Sequence, residues 1–358
     1  MGASLTLPTL AQGEEKLSFN LEVRPILSDN CFHCHGQDAD QREADLRLDT
    51  LDGATSDLGG YAALVPGDPA ESELYLRITS EFEDEQMPPP DSNRSLTDEQ
   101  RETLRLWIEQ GGEYDTHWAF VPPEKPEIDS SQVSPIDYFI GERLQQEGLD
   151  FAPSAAPGIW LRRASLDLTG LPPTIGDLNA FDGAVSTKGE KAFEEAVDRL
   201  LDSPHFGERL AADWMDASRY ADTHGFNNDS SRSMWRWRDW VIDAFNANMP
   251  YDQFIKEQLA GDLLPDPSLE QLIATGFNRN HGINSEGGII EEEYLVEYVA
   301  DRVRTVSMVW LGLTAECARC HDHKYDPMTQ EDYYRLFAFF NNVTEFGEDG
   351  RVANAVPM

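Results

Sequence analysis

Apolar residues recur at three- and four-residue intervals through most of the chain, and Pro, Gly and Asn/Asp clusters interrupt them. Phe19, Leu21, Val23, Ile26 and Leu27 give a helix over 19–28 that stops at Asp29-Asn30. Ser72 to Ile78 sets Leu74 and Ile78 on one face, with Glu71 and Glu73 at the positive end. Ser95 or Thr97 can cap a further helix that has Glu99 and Gln100 in its first turn. Leu104, Trp107 and Ile108 line one face of it, and Gly111-Gly112 ends it. Val121-Pro122-Pro123-Glu124-Lys125-Pro126 reads as a stiff connector.

Beyond it the text is helical. Ser134-Pro135 opens Ile136 to Gln146, and Leu171-Pro172-Pro173-Thr174 breaks the chain. Helices are predicted over Lys191–Leu201, Phe206–Tyr220, Met234–Ala247, Tyr251–Leu259, Glu291–Leu311 and Gln330–Asn341. Leu46 and Leu48 alternate, but no convincing strand pattern is present. The expectation is a mainly α chain: a leader remnant over 1–16, a small domain over 17–115, a Pro-rich linker over 116–133 and a larger helical domain over 134–358.

Into this pattern falls Cys31-Phe32-His33-Cys34-His35, which recurs in form as Cys317-Ala318-Arg319-Cys320-His321. Cys-x-x-Cys-His is the attachment sequence of a c-type haem: two thiols reach the two vinyl groups, and the following His can ligate the iron. The four Cys of the chain are all spent on these two motifs, so no structural disulfide is expected. Two covalently attached c-type haems are expected. A zinc site made of Cys317, Cys320, His321 and His323 is the competing reading of the second cluster. Met87-Pro88-Pro89-Pro90 stiffens the backbone around a Met that lies 52 positions after His35, far enough to reach the other face of the first iron. The alternative is that Met87 only packs. Met/His ligation raises the potential and fills the sixth position. The three Trp residues Trp235, Trp237 and Trp240 read first as core, with stacking on a haem as the functional alternative; Arg236 and Arg238 could pair with haem propionates.

The net charge of −38 disfavours nucleic acid and suits a basic protein partner or a merely solvated surface. No apolar run is long enough to span a membrane. Met1 to Gln12 resembles the tail of a trimmed signal peptide. With the haem chemistry this leads to a periplasmic or otherwise extracytoplasmic location.

Here a resemblance becomes specific. Cys31 to Gly36, Leu46 to Asp49, Val65 to Ser72, Met87 to Pro89 and Leu96 to Gly112 look like the planctomycete-type cytochrome c domain, which implies a small class-I-like cytochrome c fold. It implies haem attachment at Cys31 and Cys34, His35 as proximal ligand and Met87 as distal ligand. Ser218 to Phe226, Arg238 to Asn246, Asn248 to Asp252, Gln258 to Pro265 and the segment Cys317–Tyr334 resemble the uncharacterised helical domain that follows this cytochrome in large planctomycete proteins. Its members usually continue into a further domain, so the chain looks C-terminally shortened. The second haem would attach at Cys317 and Cys320 with His321 as axial ligand. Its sixth position is left open between His224, His281 and a vacant site; His323 is set aside because its backbone lies within about 7 Å of that of His321.

The expected function is electron transfer between a redox partner protein and the second haem. The alternative is a peroxidase-like or carbohydrate-oxidising redox enzyme, with Asp222, His224, Glu286, Asp301 and Arg302 as pocket groups. A module that binds a glycan, small molecule or partner is the third.

Overall fold

The computed structural model describes residues 16–128, 134–226, 229–343 and 345. The leader-like stretch Met1–Gln12, part of the linker (129–133) and the terminus at Met358 lie outside the described residues. Among the described residues the protein is mainly α, with two isolated β-bridges and no sheet.

The chain divides into two compact units: Met1–Glu124 with Cys317–Tyr334, and Lys125–Glu316 with Arg335–Met358. The segment with the second Cys-x-x-Cys-His motif, assigned from sequence to the helical domain over 134–358, thus packs with the first unit.

The first unit is built on the helices Arg24–Asn30, Phe32–His35, Glu73–Ile78 and Asp98–Glu109. One π-helical turn, Phe19–Val23, precedes Arg24–Asn30. Asp98–Glu109 starts at a capping box: the Thr97 hydroxyl accepts the Gln100 amide N–H while the Gln100 side chain accepts the Thr97 N–H. Leu104, Trp107 and Ile108 turn inward against Phe19, Val23, Leu27 and Leu64. Phe19 lies 4.5 Å from the Tyr114 ring and 5.8 Å from that of Trp107. Trp107 is satisfied through its indole N–H, which donates to the Glu113 carbonyl at 2.9 Å. Gly112 has φ +60°, and a Cβ there would come within 2.9 Å of Leu64, so only glycine fits both the backbone and the core.

In the second unit the helix Glu291–Val306 continues as a π-helical turn, Ser307–Leu311, to Gly312 at φ +65°. Helices Pro204–Ala217, Trp235–Asn246 and Tyr251–Ala260 enclose a core of Ala211, Trp237, Trp240, Val241, Phe254 and Phe277. Trp237 and Trp240 are thus core residues, as the plainer reading had it. Trp235 stays exposed, with the Arg236 guanidinium 4.8 Å from its ring. Arg238 pairs with Asp239 at 2.8 Å. A satellite core of Leu161, Phe181, Ala192 and Ala196 joins Pro157–Thr169, Ile175–Lys188 and Lys191–Leu201. The first two of these helices were not read from the sequence.

Candidate haem sites

The first site begins with Phe32–His35, a single helical turn. Cys31 N–H donates to Leu27 O at 2.7 Å and His35 N–H to Cys31 O at 2.9 Å, so the motif continues the turn of the preceding helix. The chain turns back and is tied to it: Glu43 N–H donates to Cys34 O at 2.7 Å and Leu48 N–H to His35 O at 2.8 Å. The Met87 N–H donates to Arg77 O at 3.0 Å, which anchors the proline stretch on the Glu73–Ile78 helix.

These ties place Cys31, Cys34, His35 and Met87 on one cleft. Its remaining walls are largely apolar, with Leu46, Leu48, Leu58, Leu74, Ile78, Pro88 and Pro89. Arg77 and Arg94 are its cations. Its empty space is about 1150 Å³ including the open mouth, at the upper end of the roughly 300–1,000 Å³ of small-molecule pockets. The four cysteines are free thiols. Burial pushes the Cys31 thiol up to about 12, so it stays neutral. Burial also pushes His35 below the ordinary imidazole range, against the opposing effect of the Glu43 backbone and carboxylate. A neutral imidazole is the form that binds a metal. His35 Nδ1 is buried without a hydrogen bond of good geometry. Two free thiols, a neutral imidazole and a thioether around an apolar cleft with two arginines fit a covalently held haem with carboxylate side chains.

The second motif is arranged differently. Ala315–Arg319 is a 3₁₀ turn and both Cys317 and Cys320 are exposed. The following loop is cross-braced. Gln330 N–H donates to Asp322 Oδ1 at 2.7 Å, Tyr334 hydroxyl to Arg319 O at 3.1 Å, and His323 N–H to Met328 O at 2.8 Å. His321 uses Nδ1 against the Asp322 carbonyl at 2.7 Å, which leaves Nε2 for a metal. His321 and His323 line a second cleft of about 1220 Å³, again counting its mouth, together with Arg24, Arg47, Phe32, Tyr325 and Asp326. This cleft is more polar than the first. In this cleft His321 keeps its far nitrogen open beside two arginines, but neither Cys317 nor Cys320 is among the lining residues; among the described residues no group of three or more His, Cys, Asp or Glu is placed to hold a metal ion, so the four candidate zinc ligands do not come together.

The residues proposed from sequence as distant ligands or catalytic groups lie in the second unit. His281 is fully buried and both ring nitrogens are engaged: Nδ1 with Gly282 O at 2.9 Å, Nε2 with Arg302 Nη2 at 2.7 Å. As placed, it has no nitrogen to give to iron. Burial, reinforced by Arg302, pushes its pKa down. Arg302, expected as a pocket group, is also buried and forms a bidentate pair with Glu345, one arm at 2.7 Å. His224 is buried, and its backbone joins two loops: its N–H donates to Ser230 O at 2.9 Å and its carbonyl accepts from Ile283 N–H at 2.8 Å. Arg232 fastens the same region by donating to the carbonyls of Arg279, Asn280 and His281. Asp222 accepts the Tyr220 hydroxyl at 2.6 Å, Asp301 faces Arg219 at 2.9 Å, and Glu286 N–H donates to Asn284 Oδ1 at 2.8 Å. These motifs therefore knit loops to the long helix.

Sequence reasoning missed His33, Arg24, Arg77 and Arg94 as cavity residues. The Leu46-Arg47-Leu48 alternation was the available signal for two clefts: Leu46 and Leu48 line the first, Arg47 and Asp49 the second.

No helix among the described residues is long and apolar enough to cross a membrane. No curated protein and no solved structure matches the chain. The profile of planctomycete cytochrome C matches residues 31–91, which include Cys31, Cys34, His35 and Met87, and marks a c-type cytochrome with covalent haem. A second profile, described as a protein of unknown function (DUF1549), matches residues 135–345, which include Cys317, Cys320 and His321. That match covers more than half of the 358 residues, so the chain belongs to this family, with a planctomycete cytochrome c domain ahead of it.

Proposed function

We propose that the protein is an extracytoplasmic di-haem c-type cytochrome that moves electrons between a redox partner protein and its second haem. The observation that carries this is the convergence of Cys31, Cys34, His35 and Met87 on one apolar cleft. Cys31 and Cys34 would hold the first haem by thioethers, with His35 and Met87 as axial ligands and Arg77 or Arg94 opposite its carboxylates. Cys317, Cys320 and His321 would hold the second, by the same spacing of two thiols and an imidazole. Bound haem supplies a reversible one-electron change; the chain supplies its position, its burial and its ligands. A first iron closed by a sulfur ligand suits electron transfer better than ligand activation. The acidic surface favours a basic partner through complementary fields.

A redox enzyme built on Asp222, His224, Glu286 and Arg302 has less behind it, since Arg302 is committed to Glu345 and His281. Optical and electron paramagnetic resonance spectra of the purified protein separate the readings. Electron transfer requires both irons six-coordinate and low-spin at rest. A resting high-spin centre that binds cyanide and turns over peroxide would replace it with the enzyme.

A further inference from the structure

The four-residue turn Phe32–His35 is a wall shared by two clefts: Cys34 and His35 line the first, Phe32 and His33 the second. The second is as large as the first, about 1220 Å³ with its mouth, but its chemistry is different. Apart from Phe32, Pro327 and the Tyr325 ring, the residues that line it are polar or charged. Such walls cost free energy to desolvate unless the occupant returns hydrogen bonds to the groups it covers. From this lining we infer that the cleft binds a neutral, polyhydroxylated ligand of the saccharide class. The inference goes beyond electron transfer and uses neither His321 nor the cysteines.

Neutrality follows from how the charges are spent. Three cationic side chains stand against four carboxylates in the cleft, although the chain as a whole carries −38. Arg47 is bound through Nε and Nη2 to both oxygens of Asp49, at 3.0 and 2.5 Å. Lys324 Nζ lies 3.8 Å from Asp29 and donates to the Tyr325 hydroxyl at 2.7 Å. Arg24 Nη2 donates to Tyr325 O at 2.8 Å. An anion would therefore have to compete with partners already in place. A metal cation lacks a ligand set, since among the described residues no three His, Cys, Asp or Glu are grouped to hold one.

What stays open is neutral and two-sided. His33 and Gln41 are exposed, and neither side chain makes a hydrogen bond among the described residues. Gln37 spends its amide N–H on His323 O and keeps Oε1 as an acceptor. Imidazole and amide side chains offer donors and acceptors together, as a sugar hydroxyl does. Tyr325, 47% exposed, adds a ring on which the C–H face of a sugar can lie. The Arg24 and Gln37 bonds brace the Tyr325 loop against the segment that carries His33 and Gln41, so the site is organised before a ligand arrives. A saccharide held there would lie one helical turn from His35.

The test uses the full chain, matured with haem, in calorimetric titration. The probes are glucose, maltose, cellobiose and dextran, with glucuronate and glucosamine as charged counterparts; the single sugars and the polymer separate a free saccharide from a glycan chain. At least one uncharged probe should bind saturably, and more tightly than either charged one. His33→Ala and Gln41→Ala should each weaken it roughly three- to tenfold, and the double variant should abolish it. Tyr325→Ala should weaken it by a similar factor, whereas Tyr325→Phe should not. Intact mass should give the same haem count in every variant, which shows that each still folds and matures. No saturable binding of any uncharged probe overturns the inference. So does a preference for glucuronate or glucosamine, or binding indifferent to the His33 and Gln41 changes. Binding that appears only when Cys317 and Cys320 are replaced by Ser would mean that a haem covers the cleft, and overturns it too. The haem count tests the di-haem reading separately: one haem with saccharide binding intact sinks that reading and leaves this one standing.

Discussion

Replacing Glu345 by Gln isolates the buried polar knot of the second unit. The Glu345 carboxylate forms its pair with Arg302, whose other contacts are His281 and the Asn278 carbonyl. Burial alone would raise the Glu345 carboxyl; the Arg302 and His281 contacts outweigh it and hold the group at about 2. A carboxyl held there, rather than at its ordinary 4.5, contributes ~3 kcal/mol to stability at neutral pH, at about 1.4 kcal/mol per pH unit. Removing one partner of a buried ion pair gives a similar figure by another route, roughly 3–5 kcal/mol, because the other charge is left uncompensated. The sign with pH follows from a depressed pKa. The contribution is complete above the unfolded value near 4.5 and is lost as pH falls toward 2. Urea unfolding followed by tryptophan fluorescence should therefore show Glu345→Gln about 3 kcal/mol less stable at pH 7, with the difference shrinking steadily below about pH 5. Haem spectra should not change. A loss under ~1 kcal/mol at pH 7, or a difference that grows on acidification, would refute the reasoning. A shifted haem spectrum would mean that the Arg302–Glu345–His281 group serves the cofactor rather than the fold.

Three further outcomes test the first unit. Gly112→Ala must accept both φ +60° and a Cβ at 2.9 Å from Leu64, so roughly 2–4 kcal/mol should be lost in thermal unfolding; Gly67→Ala, at φ +83° with nothing within 4 Å, should lose only about 1 kcal/mol. Met87→Ala should leave the first haem attached but open on one side, with a lower potential in redox titration and new carbon monoxide binding; an unchanged potential would show that Met87 only packs.

The legible parts of the fold are those where local chemistry decides. The Thr97 cap with Gln100, the stop at Gly111-Gly112 and the acidic start of Glu291–Val306 all act within one turn, so the sequence reveals them. Pro157–Thr169 and Ile175–Lys188 were harder because few of their residues are buried: Leu161 and Phe181 reach the satellite core, while Ile159 and Ile175 stay exposed, which blurs the helical period. The candidate attachment cysteines could be picked out because the Cys-x-x-Cys-His spacing is itself the chemistry proposed for them. The fate of His224, His281 and Arg302 was not. A His before Gly in a polar stretch reads alike whether it meets a metal or, as His281 does, a buried guanidinium. His33 was hidden for the opposite reason. It sits inside a motif whose variable positions carry no instruction, and only the return of residues 321–327 onto the Phe32 face gives it a cleft to line.

The central claim is that each Cys-x-x-Cys-His motif carries its own haem. Intact mass of three proteins, each matured alike, tests it most directly: the unaltered chain, Cys31→Ser with Cys34→Ser, and Cys317→Ser with Cys320→Ser. Two haems in the first and one in each of the others is the expected result. A single haem in the unaltered chain, retained in full when Cys317 and Cys320 are replaced, would contradict it.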